Sequence, residues 1–87
     1  MTVRIRYPER NTKQIDVIIG DLTLYFSYQT VIAFDSPKTG FVISENVWSM
    51  TTGRHLNEIN PDKSIRLPNA VFLIKLSGML QAYGLEG

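Results

Sequence analysis

Residues 14–19 and 22–28 are two largely apolar runs separated only by Gly20-Asp21. A two-residue connection makes such runs antiparallel neighbours. Gly accepts the positive φ that a type II′ turn needs at its first position. Parity then sets the register. With Ile19 facing Leu22, Val17 faces Leu24 and Ile15 faces Phe26, so six apolar side chains share one face. The other face pairs Asp16 with Tyr25 and Gln14 with Ser27. A slip by one residue destroys this agreement, so the rest of the chain must arrange itself around this hairpin.

Three further segments read as sheet. Residues 2–7 alternate, with Val3, Ile5 and Tyr7 on one side and Arg4 and Arg6 on the other, a half-buried strand with a basic outer face. Pro8 ends it, and residues 8–12 are polar enough for a loop. Residues 30–34 are apolar on both faces through Val31, Ile32, Ala33 and Phe34, as in a strand covered on its far side by a helix or a second subunit. Residues 35–40 form a loop, and residues 41–44 return as the next strand of the meander. Residues 46–63 admit two readings. Leu56 and Ile59 lie three apart before Asn60-Pro61, which suits a short helix; a strand over 47–50 with a turn at Thr51-Thr52-Gly53 fits equally.

Pro68-Asn69 opens a helix over residues 70–83, closed by Gly84. At 100° per residue, Phe72, Leu73, Leu76, Met79, Leu80 and Tyr83 form one stripe that should cover the sheet. The opposite side carries Val71 and Ile74, unusually apolar for solvent, with Ala70 and Gly78 small enough for another backbone to approach. Val71, Ile74 and Gly78 are therefore the expected surface of a homo-oligomer. The expected fold is α+β: a single domain over residues 1–87, an antiparallel β-sheet of four to five strands (a β-meander), and one C-terminal helix packed across it in two layers.

Composition narrows the function. A chain of 87 residues buries only about 60–65% of its unfolded surface, and without Cys it has neither disulfides nor a thiolate metal site. Borrowing buried area from a partner is the natural remedy. Apolar residues at 44% and charged residues at 20% exclude disordered and low-complexity classes. A net charge of +1 makes no strong field for nucleic acid. Yet Arg4, Arg6, Arg10 and Lys13 are opposed only by Glu9, a local basic end. The N-terminus has no apolar stretch of signal-peptide length. The longest apolar run, residues 70–80, is interrupted and too short to cross a bilayer. A cytoplasmic protein without membrane contact is expected.

Enzyme templates find little purchase. No phosphate-binding Gly-rich loop, G-x-S-x-G elbow or H-E-x-x-H pair occurs, and a single His cannot build a His-based metal cluster unaided. No catalytic residue, metal or cofactor is expected. The densest polar stretch is residues 46–57, where Ser49, Thr51, Thr52, Gly53, Arg54, His55 and Asn57 surround Trp48. Hydroxyls and backbone N–H groups near a Gly hold phosphate, Arg grips it bidentately and Trp stacks on a base. The competing reading has Ser49, Thr51 and Thr52 satisfying turn and cap groups while Trp48 fills the core, the commoner use of these residue types. For His55, with no identifiable partner, a hydrogen-bonded structural role is favoured over acid–base work. Tyr25, on the hairpin face opposite Phe26, suits either a stacking platform or cross-strand packing.

Tyr25-Phe26-Ser27-Tyr28, Thr30-Val31-Ile32-Ala33-Phe34, Glu45-Asn46-Val47-Trp48-Ser49 and Thr51-Thr52-Gly53-Arg54-His55-Leu56-Asn57 resemble a family of small uncharacterised proteins of bacteriophages, archaeal viruses and plasmids. Its pattern runs approximately YFSY-x-T-x-VAF and then N-x-WS-x-TTG-K-HLN. The resemblance covers residues 22–60 and departs from the pattern at Arg54, where Lys is usual, and at Ile32, where Val is. It implies a viral or mobile-element origin, and so the cytoplasm of a host cell. It marks Trp48, Thr51, Thr52, Arg54, His55 and Asn57 for testing and assigns no activity.

The leading expectation is a non-enzymatic accessory protein that binds nucleic acid or a nucleotide phosphate weakly. Arg54 contacts phosphate, Ser49, Thr51 and Thr52 add hydroxyls, His55 and Asn57 complete the stretch, Trp48 or Tyr25 stacks, and Arg4 and Arg6 extend the basic surface. The alternative is an inhibitor of a host defence or regulatory protein, acting through the sheet edge or the Val71/Ile74 face. A small hydrolase using His55 is a third reading.

Overall fold

The computed structural model describes residues 3–7 and 13–85; the loop expected over residues 8–12, with Arg10, lies outside them. Five strands, β1 (Val3–Arg6), β2 (Gln14–Ile19), β3 (Leu22–Ser27), β4 (Thr30–Ser36) and β5 (Gly40–Ile43), precede α1 (Met50–Ile59), a 3₁₀ turn (Lys63–Ile65) and α2 (Asn69–Ala82). The strands form one antiparallel sheet in chain order, a simple meander. The hairpin has the register that parity demands: Ile19 faces Leu22, Val17 faces Leu24 and Ile15 faces Phe26. Gly20 turns it at φ +61°. The expected run to residue 28 stops one residue earlier, because Tyr28 enters the left-handed region at φ 57° to start the return into β4. That conformation costs a non-Gly residue about 1 kcal/mol or more. It is held by the Tyr28 N–H donating to the Lys13 carbonyl at 2.7 Å.

A bulge decides how β4 serves both faces. Tyr25 faces Ala33 but Phe26 faces Val31, so Ile32 is the extra residue. Ile32 and Ala33 consequently both join a cluster with Ile43 and Leu56, flanked by Tyr25 and Ile59. Phe34 stays with the other cluster, Leu22, Leu24, Val42, Phe72 and Met79. The sheet thus carries α1 on one face and α2 on the other. The α+β meander with a C-terminal helix stands, and α1 adds a layer to the expected two: of the two readings of residues 46–63, the helix holds over Met50–Ile59, and Gln14, Asp16 and Ser27 on the polar hairpin face are buried.

The spacing of α1 explains its docking. Thr52, His55 and Leu56 are its buried residues, on one helical face, with Ile59 a turn beyond. Ser49 caps the start by accepting from the Thr52 N–H at 3.2 Å, and the Asn60 N–H closes the end on the Leu56 carbonyl.

The second helix starts and stops where Pro68-Asn69 and Gly84 place it, Gly84 taking φ +68° after Tyr83. Phe72 and Met79 are buried, and Leu76, Leu80 and Tyr83 are packed against the core, but Leu73 is half exposed. The half-buried reading of β1 is also corrected: Val3, Ile5 and Tyr7 are 58%, 58% and 64% exposed. The helix lies over β3, β4 and β5, whose Leu24, Phe34 and Val42 it covers. One helix about 10 Å wide does not span a sheet whose outer strands stand about 19 Å apart.

Among the described residues no helix is long and apolar enough to cross a membrane. The chain packs to a radius of gyration of 12.4 Å.

Candidate anion cleft beside helix α1

The motif stretch divides into a buried half and an open half. Ser27 Oγ lies 2.6 Å from His55 Nδ1 and 3.0 Å from Thr52 Oγ1. All three residues are buried: Ser27 is 2% exposed, Thr52 4% and His55 6%. The ring of Tyr28 stands 6.1 Å from that of His55. Ser and His at this distance resemble a nucleophile and its base, but the hydroxyl is sealed under α1. What the arrangement does is tie α1 to the end of β3, satisfying polar groups that would be costly if buried unpaired.

The loop before α1 is a second fastening. Asn46 Oδ1 accepts from the Trp48 N–H at 3.0 Å, and its Nδ2 donates to the Ser49 carbonyl at 2.9 Å. The carboxamide reaches this position because residue 53 has no side chain: a β-carbon on Gly53 would stand 2.9 Å from Asn46 Nδ2. The loop holds Trp48 outward, 38% exposed and in neither core cluster. The expectation that Trp48 fills the core is therefore overturned. Val47 and Met50 beside it are 53% and 80% exposed.

On the outer side of α1 a recess of about 290 Å³ is lined by Asn46, Met50, Gly53, Arg54, Asn57, Lys63 and Arg66. Three cations line it and no carboxylate does. Arg66 Nη2 donates to Asn57 Oδ1 at 2.8 Å and to the Asn60 carbonyl at 3.4 Å, which brings the guanidinium alongside α1. Its Nε is buried and has no hydrogen-bond partner. Asp62, next to Lys63 in sequence, caps the 3₁₀ turn, accepting from the Ser64 hydroxyl at 2.6 Å and the Ser64 N–H at 2.9 Å. The Ser64 hydroxyl, then its backbone N–H, hold the Asp62 carboxyl below its ordinary range. A further recess on the same side is lined by Arg54, Asn57 and Glu58.

Of the expected site residues, Arg54 and Asn57 line this cleft, Trp48 and Thr51 are exposed at the N-terminal end of α1, and Ser49 is spent as its cap. Thr52 and His55 are inside. Arg4, Arg6 and Tyr25 are not brought to them. Arg4 and Arg6 lie on β1, at the sheet edge away from β5. Arg6 is committed to buried Asp16, through Nη2 at 2.8 Å and Nε at 3.0 Å. Tyr25 packs edge-on against Phe41, ring centroids 6.2 Å apart. Burial, then the charges of Asp16 and Asp35, push its phenol above the ordinary range, with Arg6 opposing. On α2, Val71 is 40% and Ile74 73% exposed, and Gly78 is exposed beside them.

Lys63 and Arg66 are not among the expected site residues, and Asn46 enters only as the start of the polar stretch. Arg54 and Asn57 are three apart and share a helical face once α1 is known. Arg66 joins them only because the chain folds back after Asn60, which no local pattern announces. Among the described residues, no group of acidic or His side chains is placed to hold a metal ion.

Residues 1–72 match the family of unknown function DUF8033, and the chain belongs to that family. The match takes in the whole motif stretch and ends within α2, at Phe72. Neither a curated protein nor a solved structure matches this chain.

Proposed function

For a member of a family without an assigned activity, we propose that the cleft beside α1 binds the phosphate of a nucleic acid or nucleotide, without catalysis. One observation carries the reading: Arg54, Lys63 and Arg66 line a recess free of carboxylates. Asn57 already orients the Arg66 guanidinium, so less ordering remains on binding. Trp48, exposed on the loop that also supplies Asn46, is the available stacking surface. The motif resemblance in residues 22–60 supports a viral or mobile-element origin, in which such a protein would act in the host cytoplasm.

The test is fluorescence anisotropy with labelled single- and double-stranded oligonucleotides at low salt, using wild type and Arg54→Ala/Lys63→Ala. Binding that weakens steeply with salt and is lost in the double variant supports the reading. Undetectable binding by wild type ends it.

A second reading, contact with another protein as a homo-oligomer or as an inhibitor of a host factor, is favoured by the outer face of α2. Val71, Leu73 and Ile74 are at least 40% exposed there, and a helix apolar all round is normally covered. Sedimentation over a range of concentrations separates self-association from the monomer; Ile74→Glu abolishes any dimer built on this face.

A further inference from the structure

The opposite side of the molecule carries a second concave feature, independent of the phosphate reading. Between β5 and α2 lies a groove of about 350 Å³, lined by Phe34, Lys38, Thr39, Val42, Lys75, Gly78, Met79 and Ala82. Its floor is apolar and buried, with Phe34 0%, Met79 2% and Val42 9% exposed. Gly78 and Ala82 leave the helix side low; a β-carbon on Gly78 would meet nothing within 4 Å. Lys38 and Lys75 are the charged residues of the lining, and no acid joins them. Lys38 Nζ rests 4.4 Å from the centroid of the Tyr83 ring, which fixes one charge at this end of α2.

The strand beside the groove is an open edge. Among the described residues, β5 is the outermost strand on this side and pairs with β4 alone. Beyond its end the outer edge is already used once: the Leu67 N–H donates to the Ile43 carbonyl at 2.9 Å and the Glu45 N–H to the Leu67 carbonyl at 2.8 Å, a single parallel bridge. Since Ile43 and Glu45 turn backbone groups outward, alternation turns those of Phe41 outward too. An extended segment hydrogen-bonded there would send every second side chain to the α2 face, next to Val42. A free strand edge beside a helix-walled apolar slot is the geometry of strand addition, in which backbone bonds hold the peptide and the slot selects side chains.

We propose that this groove takes an extended peptide segment as a sixth strand, with apolar residues at alternate positions and acidic residues at its flanks. The apolar side chains enter between Val42 and the low Gly78–Ala82 side of α2, above buried Phe34 and Met79. The carboxylates meet Lys38 and Lys75, the charge complement of a lining that holds only cations. Lys75, Gly78 and Ala82 lie beyond the residues matched to the family.

The experiment is an amide-resolved NMR titration of the full chain with two synthetic peptides at millimolar concentration. One is acetyl-Asp-Val-Thr-Leu-Thr-Asp-amide; the other has Lys in both Asp positions. The expected result is saturable shifts at Phe41, Ile43, Lys75 and Gly78 with the acidic peptide, and roughly tenfold weaker binding of the basic one. Gly78→Leu fills open space on a helix, so its Tm stays or rises while the acidic peptide no longer binds. Lys38→Glu/Lys75→Glu reverses the preference between the peptides. No shift at these amides, or shifts confined to Arg54, Asn57 and Arg66, overturns the proposal. So do undiminished binding by Gly78→Leu and α2 shifts that follow protein concentration without peptide, which mark a second copy as the occupant.

Discussion

Ser27 Oγ approaches His55 Nδ1 to 2.6 Å beneath α1, and the contact joins the end of β3 to the middle of that helix. Removing either side breaks a bond in a buried network that also takes in Thr52. His55→Ala or Ser27→Ala is expected to lower stability by about 1–3 kcal/mol. Urea unfolding measures it. Destabilisation under 0.5 kcal/mol, roughly the level of a surface substitution, would mean that the contact does not hold the helix.

Gly53 poses a contest between two effects. Ala at an ordinary helix Gly gains about 1 kcal/mol. Here the added carbon would crowd Asn46 Nδ2 at 2.9 Å and displace bonds to the Ser49 carbonyl and Trp48 N–H, each worth about 0.5–1.5 kcal/mol. Gly53→Ala should therefore be neutral to destabilising and should change Trp48 emission. A gain of a full kcal/mol with unchanged emission contradicts the fastening role of Asn46.

Arg6 is a structural cation. Its partner Asp16 has a side chain only 4% exposed, while Arg6 itself is 59% exposed. Arg6→Ala strands a buried carboxylate, and the solvent around Arg6 moderates the loss to about 1–3 kcal/mol. Asp16→Asn in the same background should recover part of it. Oligonucleotide affinity of Arg6→Ala should equal wild type; a large drop would place Arg6 in the binding surface instead.

Alkaline pH offers another handle. Burial, chiefly, and the charges of Asp16 and Asp35 raise the Tyr25 phenol above its ordinary value of 10.0 in the folded chain. The unfolded chain releases that proton first, so the contribution is complete below pH 10 and is lost as pH climbs through the folded value. Wild type should lose stability above pH 10 more steeply than Tyr25→Phe. Parallel curves would show that Tyr25 ionises equally in both states.

Much of this architecture was legible because the hairpin leaves one register open. Gly20-Asp21 and the parity of Ile15, Val17, Ile19, Leu22, Leu24 and Phe26 fix two strands, and Pro68, Asn69 and Gly84 bracket α2. Residues 46–63 were not legible, since α1 has few apolar residues and buries Thr52 and His55, which look like loop residues until Ser27 is beneath them. The exposure of Val3 and Ile5 depends on where α2 lies across the sheet, a tertiary fact. The cleft was half legible: Arg54 and Asn57 stood out by type, whereas Lys63 and Arg66 enter only through the return of the chain after Asn60.

The most direct test of the phosphate reading is the salt dependence of single-stranded oligonucleotide binding for wild type, Arg54→Ala and Lys63→Ala. Both side chains line the cleft, so each variant should lose affinity and flatten the slope of log K against log salt by about 0.7, one phosphate contact on a single strand. Slopes identical to wild type in both variants, with affinity unchanged, would show that the cleft beside α1 does not hold the phosphate.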